Sequence, residues 1–110
     1  MKISVAMLQT FGTDNHNPEG ILYGTTQFGG DLSNKGCNGY FPGCGVVFQL
    51  APQNDGSWQR TVLHTFELSD GFQPAASLLL SHNSLWGTTI NGGGSSNCDT
   101  GCGAVFEIAP

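Results

Sequence analysis

The stretch LYGTTQFGGDLSNKGCNGYFPGCGVVFQLAP at residues 22–52 decides the fold, because it returns in altered form as LWGTTINGGGSSNCDTGCGAVFEIAP at residues 85–110. Each copy begins with Leu, an aromatic residue and Gly-Thr-Thr, and then passes through a glycine-rich loop that holds two cysteines. Each copy ends in a Val-Phe run that stops at proline. Internal repetition of this kind indicates one supersecondary unit built more than once.

Four short strands account for the unit. The Leu-aromatic-Gly-Thr-Thr and Val-Phe runs are rich in β-branched and aromatic residues, which favour strands. The segments RTVLHTF at 60–66 and SLLLS at 77–81 supply the other two. Asn-Asp-Gly within residues 53–57 and His-Asn within residues 81–84 are hairpin turn signals. Alternation along WQRTVLHTF at residues 58–66 predicts one common face for Trp58, Arg60, Val62, His64 and Phe66.

These strands predict an all-β chain of antiparallel, four-stranded repeats that resemble β-propeller blades. About two copies are expected in a single domain of residues 1–110, with repeat 1 at about 10–64 and repeat 2 at about 65–110. The first copy is expected to be incomplete. Only Glu-Gly-Ile stands between Pro18 and Leu22, where the second copy carries AASLLLSHNS after Pro74.

The charge balance excludes several classes of partner. The chain has three basic and eight acidic residues, for a formal net charge of -5. Such a chain has no positive surface for phosphate backbones, so nucleic acid is not expected as a partner. No stretch approaches the roughly 20 apolar residues that cross a bilayer, so membrane insertion is not expected either.

The repeat resembles the GloVer-type tandem repeat of bacterial choice-of-anchor surface proteins. The resemblance rests on Leu-Tyr-Gly-Thr-Thr, the glycine-rich loop, Gly-x-Val-Phe-x-Leu and the following VLHTFELSDGFQP segment, in that order. It covers nearly the whole chain from about Thr10. It departs from the family pattern at His64 and Trp86, where tyrosine is usual. The resemblance implies propeller-like repeats on an exported or cell-surface protein.

The four cysteines are the sharpest local feature. Six residues separate Cys37 from Cys44, and three separate Cys98 from Cys102. We favour one disulfide in each copy, Cys37 to Cys44 and Cys98 to Cys102, stiffening the glycine-rich loops. A four-cysteine zinc site and free thiols are the alternatives, although the first spacing is too long for a usual zinc pair. Disulfides indicate an oxidising, extracellular compartment.

No set of residues with the spacing of a catalytic site is found. The three histidines, at 16, 64 and 82, have no convergent partner in the sequence, so neither an enzyme nor a metal site is expected. No cofactor is expected. Asp14 and Asp70 lie in corresponding turn segments, where calcium ligation is possible but an Asx-turn role is favoured.

Two function classes follow. The first is a non-enzymatic, exported or cell-surface module that acts as a structural or adhesive scaffold and associates with itself through open strand edges, into an oligomer or a filament. The alternative is a lectin-like module that binds a glycan. Its candidate residues are the aromatic pair Tyr23 and Trp86 and the loop amides Asn91 and Asn97.

Overall fold

The computed structural model describes the backbone of residues 6–10 and the complete residues 20–37, 42–99 and 101–110. Every regular element within these ranges is a β-strand. The strands are β1 (Ala6–Thr10), β2 (Leu22–Thr26), β3 (Val46–Pro52), β4 (Trp58–Thr65), β5 (Phe72–Pro74), β6 (Leu79–Ser81), β7 (Ser84–Asn91) and β8 (Ala104–Ile108).

The strands form two open antiparallel sheets. Sheet 1 has the order β1-β2-β3-β4, so each strand pairs with its neighbour in the chain. In sheet 2, Thr89 of β7 pairs with both Pro74 and Ala104, and Leu85 pairs with both Leu80 and Ile108. Strands β5 and β6 therefore share one edge of β7, and β8 occupies the other. The all-β class and the antiparallel pairing are confirmed.

A strand lies beside β2 in the first copy, although the sequence of that copy lacks the segment that forms β6 in the second. Strand β1 pairs with β2 over five residues, from Ala6 opposite Thr26 to Thr10 opposite Leu22. It supplies the position that β5 and β6 take beside β7, although its sequence does not resemble theirs. Sheet 2 is one strand narrower than sheet 1, because β5 and β6 share one edge of β7 and no described strand corresponds to β4.

Both expected hairpin turns are present. In the β3–β4 turn, the Gln53 amide donates to the Ser57 carbonyl at 2.8 Å. The β6–β7 turn has two residues between Ser81 and Ser84, and both have positive φ, 52° at His82 and 64° at Asn83. Positive φ at both central residues is the geometry of a two-residue hairpin, and asparagine tolerates it better than most residues.

A β-bulge in β4 overturns the expected alternation. Val47 pairs with His64, and its neighbour Phe48 pairs with Val62, so Leu63 is the extra residue. Directly paired residues lie on one face of a sheet, and adjacent residues lie on opposite faces. Val62 therefore shares the face of Phe48, whereas His64 turns to the face of Val47. Trp58, Arg60 and Val62 remain on one face as predicted.

The same backbone arrangement comes just before the Val-Phe strand of each copy, β3 in the first and β8 in the second. Gly43 lies so close to Gly29 that an added Cβ would overlap the Gly29 backbone, and Gly101 has the same relation to Gly92. The Gly45 amide donates to the Gly29 carbonyl at 3.1 Å. The corresponding bond in the second copy measures 3.0 Å. Only glycine fits such a contact at positive φ, which explains why both cysteine loops end in Gly-Cys-Gly.

The second threonine of Gly-Thr-Thr holds the same junction. The Thr26 hydroxyl donates to the Phe28 carbonyl at 2.7 Å and accepts from the Val46 amide at 3.1 Å. In the second copy, Thr89 donates to the Asn91 carbonyl at 2.9 Å and accepts from the Ala104 amide at 3.0 Å. The repeated sequence therefore encodes a repeated hydrogen-bond geometry.

The two sheets share one apolar core. Sheet 1 contributes Tyr23 and Val47, and sheet 2 contributes Leu85, with Phe106 packed against it. The ring of Phe66, which follows the bulged strand, lies 5.2 Å from that of Phe106. Burial of this apolar surface is what holds the sheets together. The remaining buried members of the core are Phe28, Cys37, Cys44, Phe72 and Leu78.

We expect Thr26→Val to lower the free energy of unfolding by about 1–3 kcal/mol, because it strands a buried amide and a buried carbonyl. Thr89→Val removes the same bonds at a less buried site and should cost less. Thr88→Val, one residue away and exposed, should stay within about 0.5 kcal/mol of wild type. Urea unfolding of the three variants measures this. Equal losses at positions 26 and 88 would contradict the assigned role.

Candidate functional site

The cysteines form two disulfides, Cys37–Cys44 and Cys98–Cys102, with Cα–Cα distances of 5.0 and 5.3 Å. These are the pairs that the sequence analysis favoured over a four-cysteine zinc site. The first disulfide is fully buried and belongs to the core, whereas both cysteines of the second are exposed. The two copies therefore use the same bond in different surroundings. Two disulfides point to an oxidising, extracellular environment.

The turn that joins the sheets lies between the two disulfide loops. Its Glu67 carbonyl accepts a hydrogen bond from the Asn34 side chain at 3.0 Å. Its Leu68 carbonyl accepts from the Gly93 amide at 2.9 Å. The turn thus bonds to a glycine-rich loop from each copy, and this fixes the relative position of the two loops.

Asp70 organises this turn. Its carboxylate accepts a hydrogen bond from the Glu67 amide at 2.9 Å and lies 2.7 Å from Nε2 of His64. The first bond runs back three residues along the chain, so it closes the turn in a different way from the Asx-turn favoured from the sequence, in which the carboxylate accepts from the amide two residues further on. The second gives His64 a partner that the sequence does not indicate, because the bulge at Leu63 turns the imidazole toward the turn. Asp14, the other calcium candidate, and His16 lie outside the described residues.

The aromatic pair proposed for glycan stacking is divided between two environments. Tyr23 is 5% exposed and lies in the core between the sheets, so its ring is not available as a platform. Burial also raises the pKa of its phenol. Trp86 is 39% exposed on the outer face of sheet 2. The same position of the repeat is therefore internal in one copy and external in the other.

The two asparagines lie away from Trp86. Asn91 donates through its side chain to Oε1 of Gln73 at 3.1 Å, and Gln73 in turn donates to Gln27 at 3.3 Å. This row of amides bridges the sheets on their inner side. Asn97 is exposed in the second disulfide loop, where its amide bonds to the Ser95 hydroxyl. The four expected ligand residues therefore do not converge.

A different set of side chains surrounds Trp86. Leu79 and Glu107 pair directly with it from β6 and β8, so the three side chains form one row across the sheet. With Ser81, His82 and Ser84 they line an open hollow of about 320 Å³. The hollow offers one aromatic face, one carboxylate and hydroxyl groups. Glu107 could have been placed there from the sequence, because the Leu-Trp-Gly and Val-Phe-Glu runs are predicted to be neighbouring strands.

Metal binding finds no support in the described part of the chain. Within those residues, no three side chains of the His, Cys, Asp or Glu type lie together in a way that could hold an ion. In the same residues no helix is long and apolar enough to span a membrane.

Comparisons of the chain with protein-family models, with curated proteins and with solved structures found no match.

The exposed disulfide should be the first to be reduced. Mild reductant followed by alkylation and mass spectrometry should modify Cys98 and Cys102 before Cys37 and Cys44, because only the former pair is open to solvent. Removing the exposed pair as Cys98→Ser with Cys102→Ser should lower the free energy of unfolding by about 2 kcal/mol, from the small ring alone. Cys37→Ala with Cys44→Ala should cost more, because core packing is lost as well. A larger loss from the exposed pair would contradict the account.

Tyr23 makes stability depend on alkaline pH. Because folding raises the pKa of its phenol above 10.0, the stabilising contribution is complete below pH 10 and is lost as pH rises through the folded pKa. In a Tyr40→Phe background, absorbance titration should therefore give a phenol pKa above 10.0. In the same background, Tyr23→Phe should lessen the loss of stability at high pH. A phenol that titrates at its ordinary pKa would show that Tyr23 is not buried.

Proposed function

We propose that this protein is a non-enzymatic, exported β-repeat module that serves as a structural or adhesive scaffold and associates with itself. The single observation that carries the proposal is the difference between the sheets. Strand β4 covers the outer edge of β3 in sheet 1, and no described strand covers the corresponding edge of β8 in sheet 2. An uncovered strand edge presents unpaired amides and carbonyls to other chains.

The two outer strands differ in how they discourage pairing. Strand β4 carries Arg60 and the bulge at Leu63, and both features hinder the addition of another strand. Strand β8 pairs with β7 in regular register over its whole length and has Glu107 as its only charge. The edge of β8 is thus the more receptive of the two. The resemblance to repeat proteins of bacterial surfaces and the two disulfides agree with an extracellular location.

Light scattering over a range of protein concentrations tests the scaffold proposal. We expect the mean mass to rise with concentration, because each molecule carries the β8 edge. A peptide of residues 57–66, which contains the β4 sequence, should compete for this edge and lower the mean mass. A scrambled peptide of the same composition is the control. A constant monomer mass up to about 1 mM, a concentration at which even weak association is visible, would contradict self-association.

Glycan binding is the second candidate, favoured by the hollow beside Trp86. Indole faces stack on sugar rings, and Glu107, Ser81 and Ser84 offer hydrogen-bond groups beside the ring. The site differs from the one expected from sequence, since Tyr23 and Asn91 are turned to the inside.

Glycan-array binding of Trp86→Ala tests the second candidate. We expect binding to fall at least about tenfold in this variant, because stacking area is lost, and to persist in Trp58→Ala, which removes an exposed indole elsewhere. Silence of the wild-type protein across the array would dismiss the glycan role.

A further inference from the structure

The outer face of sheet 2 repeats a face that sheet 1 buries. In sheet 2, Trp86 pairs with Glu107 and Thr88 pairs with Val105. The aligned residues of sheet 1 pair in the same register, Tyr23 with Gln49 and Thr25 with Val47. Directly paired residues share a face, so these two sets of four are equivalent surfaces of the two sheets.

The two equivalent surfaces differ in what lies over them. Val47 is 0% exposed and Tyr23 is 5% exposed, because sheet 2 packs on this face of sheet 1. Their counterparts Val105 and Trp86 are 74% and 39% exposed. The groove at Tyr23 is closed by residues of sheet 2, namely Leu80, Asn83 and Pro110. The hollow at Trp86 is lined by sheet 2 alone.

The complementary surface lies on the other side of the molecule. Sheet 2 packs on sheet 1 through a face that includes Leu85, Phe106 and Ile108. The aligned residues of sheet 1 are Leu22, Phe48 and Leu50, which share the outer face of that sheet. Phe48 and Val46 of this face are 2% and 0% exposed, so the face is open only around the partly buried Leu22 and Leu50 and along β4. The face continues onto β4 through Val62 and Arg60, which pair with Phe48 and Leu50.

Exposed apolar residues mark these same two faces. Among the described residues, every large exposed apolar side chain except Leu32 lies on one of them. Trp58 and Val62 belong to the outer face of sheet 1, and the others belong to the outer face of sheet 2, which presents Leu79, Trp86, Ile90 and Val105. Clustering of this kind marks contact surfaces rather than scattered exposure.

The charges of the two faces are opposite. Glu107 stands on the outer face of sheet 2, where the equivalent residue in sheet 1 is the partly buried, uncharged Gln49. Arg60, one of three basic residues in the chain, stands on the outer face of sheet 1 beside Leu50. Repeating the contact between the sheets would bring these two charges to the same end of a new interface.

We propose that the outer face of sheet 2 binds the outer face of sheet 1 of a second copy of this chain, with Glu107 facing Arg60. The interface joins two different surfaces and, in sheet 1, uses the part of the outer face that is open, at Leu50 and along β4. A contact between unlike surfaces propagates, so it produces a ring or a filament rather than a closed dimer. This inference rests on the proposed self-association and is separate from strand addition at β8.

Charge reversal in solution tests the contact. We expect Glu107→Arg and Arg60→Glu each to raise the dissociation constant of self-association at least about tenfold, because each places like charges opposite one another. An equimolar mixture of the two variants should regain the wild-type mass, since every contact in it can again pair opposite charges. Val105→Glu should weaken association as well, and Leu32→Glu, an equal change off both faces, should leave it unchanged. Sedimentation velocity measures all of these samples.

The outcomes separate this inference from the scaffold proposal. Association of the wild type without recovery in the mixture would overturn the contact between unlike faces and leave the scaffold proposal standing. Weakening by Glu107→Arg but not by Arg60→Glu would show that Arg60 is not the partner of Glu107, which also overturns it. A wild-type monomer at all concentrations would overturn both, and tryptophan fluorescence that responds to an added glycan would then assign the Trp86 face to sugar binding.

Discussion

The close contact between two glycine backbones is the constraint on which the rest of the structure depends. Gly43 against Gly29, and Gly101 against Gly92, bring the end of a long loop back to its beginning at a separation that no side chain permits. The disulfide in each copy closes the same loop from the other side. The Val-Phe strand therefore starts beside the Gly-Thr-Thr strand in a fixed register, as β3 does beside β2 and β8 beside β7. The hydroxyl of the second threonine in Gly-Thr-Thr forms hydrogen bonds to both sides of the junction.

The same junction also connects the sheets in the first copy. The Cys44 carbonyl accepts a hydrogen bond from the Gln73 amide at 2.9 Å, and the Gly45 carbonyl accepts from the Phe66 amide at 3.0 Å. A Cβ at Gly45 would also meet the ring of Pro74. The loop that orders one sheet is thereby the surface on which the next sheet begins. A repeat of this design has two unlike faces, and each added sheet presents again the face that the previous one buried.

Much of this could be predicted from the sequence, because it depends on local pattern. The repeated strands, the hairpin turns and the cysteine pairing are all carried by residues near one another in the chain. The role of β1 could not be predicted, since AMLQT does not resemble the segments that occupy the same place beside β7. Strand pairing satisfies backbone groups, and many sequences can supply it.

The candidate site was harder to predict because it depends on packing between sheets. The bulge at Leu63 reverses the face of His64 and gives it Asp70 as a partner, and alternation alone cannot reveal an extra residue. Tyr23 and Trp86 occupy one position of the repeat, yet only the arrangement of the sheets decides which is buried. The strand register places Glu107 beside Trp86. The repeat predicts this pairing, but the pairing indicates a site only once the face that carries both residues is known to be exposed.

Amide hydrogen exchange at the glycine junctions shows whether the close contact between the glycine backbones holds the fold. The amides of Gly45 and Gly103 donate to the Gly29 and Gly92 carbonyls, and those of Val46 and Ala104 donate to the threonine hydroxyls. We expect slow exchange at all four amides, two in each copy, although they stand at the ends of long loops. Rapid exchange at Gly45 and Gly103, at the rate of exposed loop amides, would contradict the glycine contact as the constraint that sets the fold.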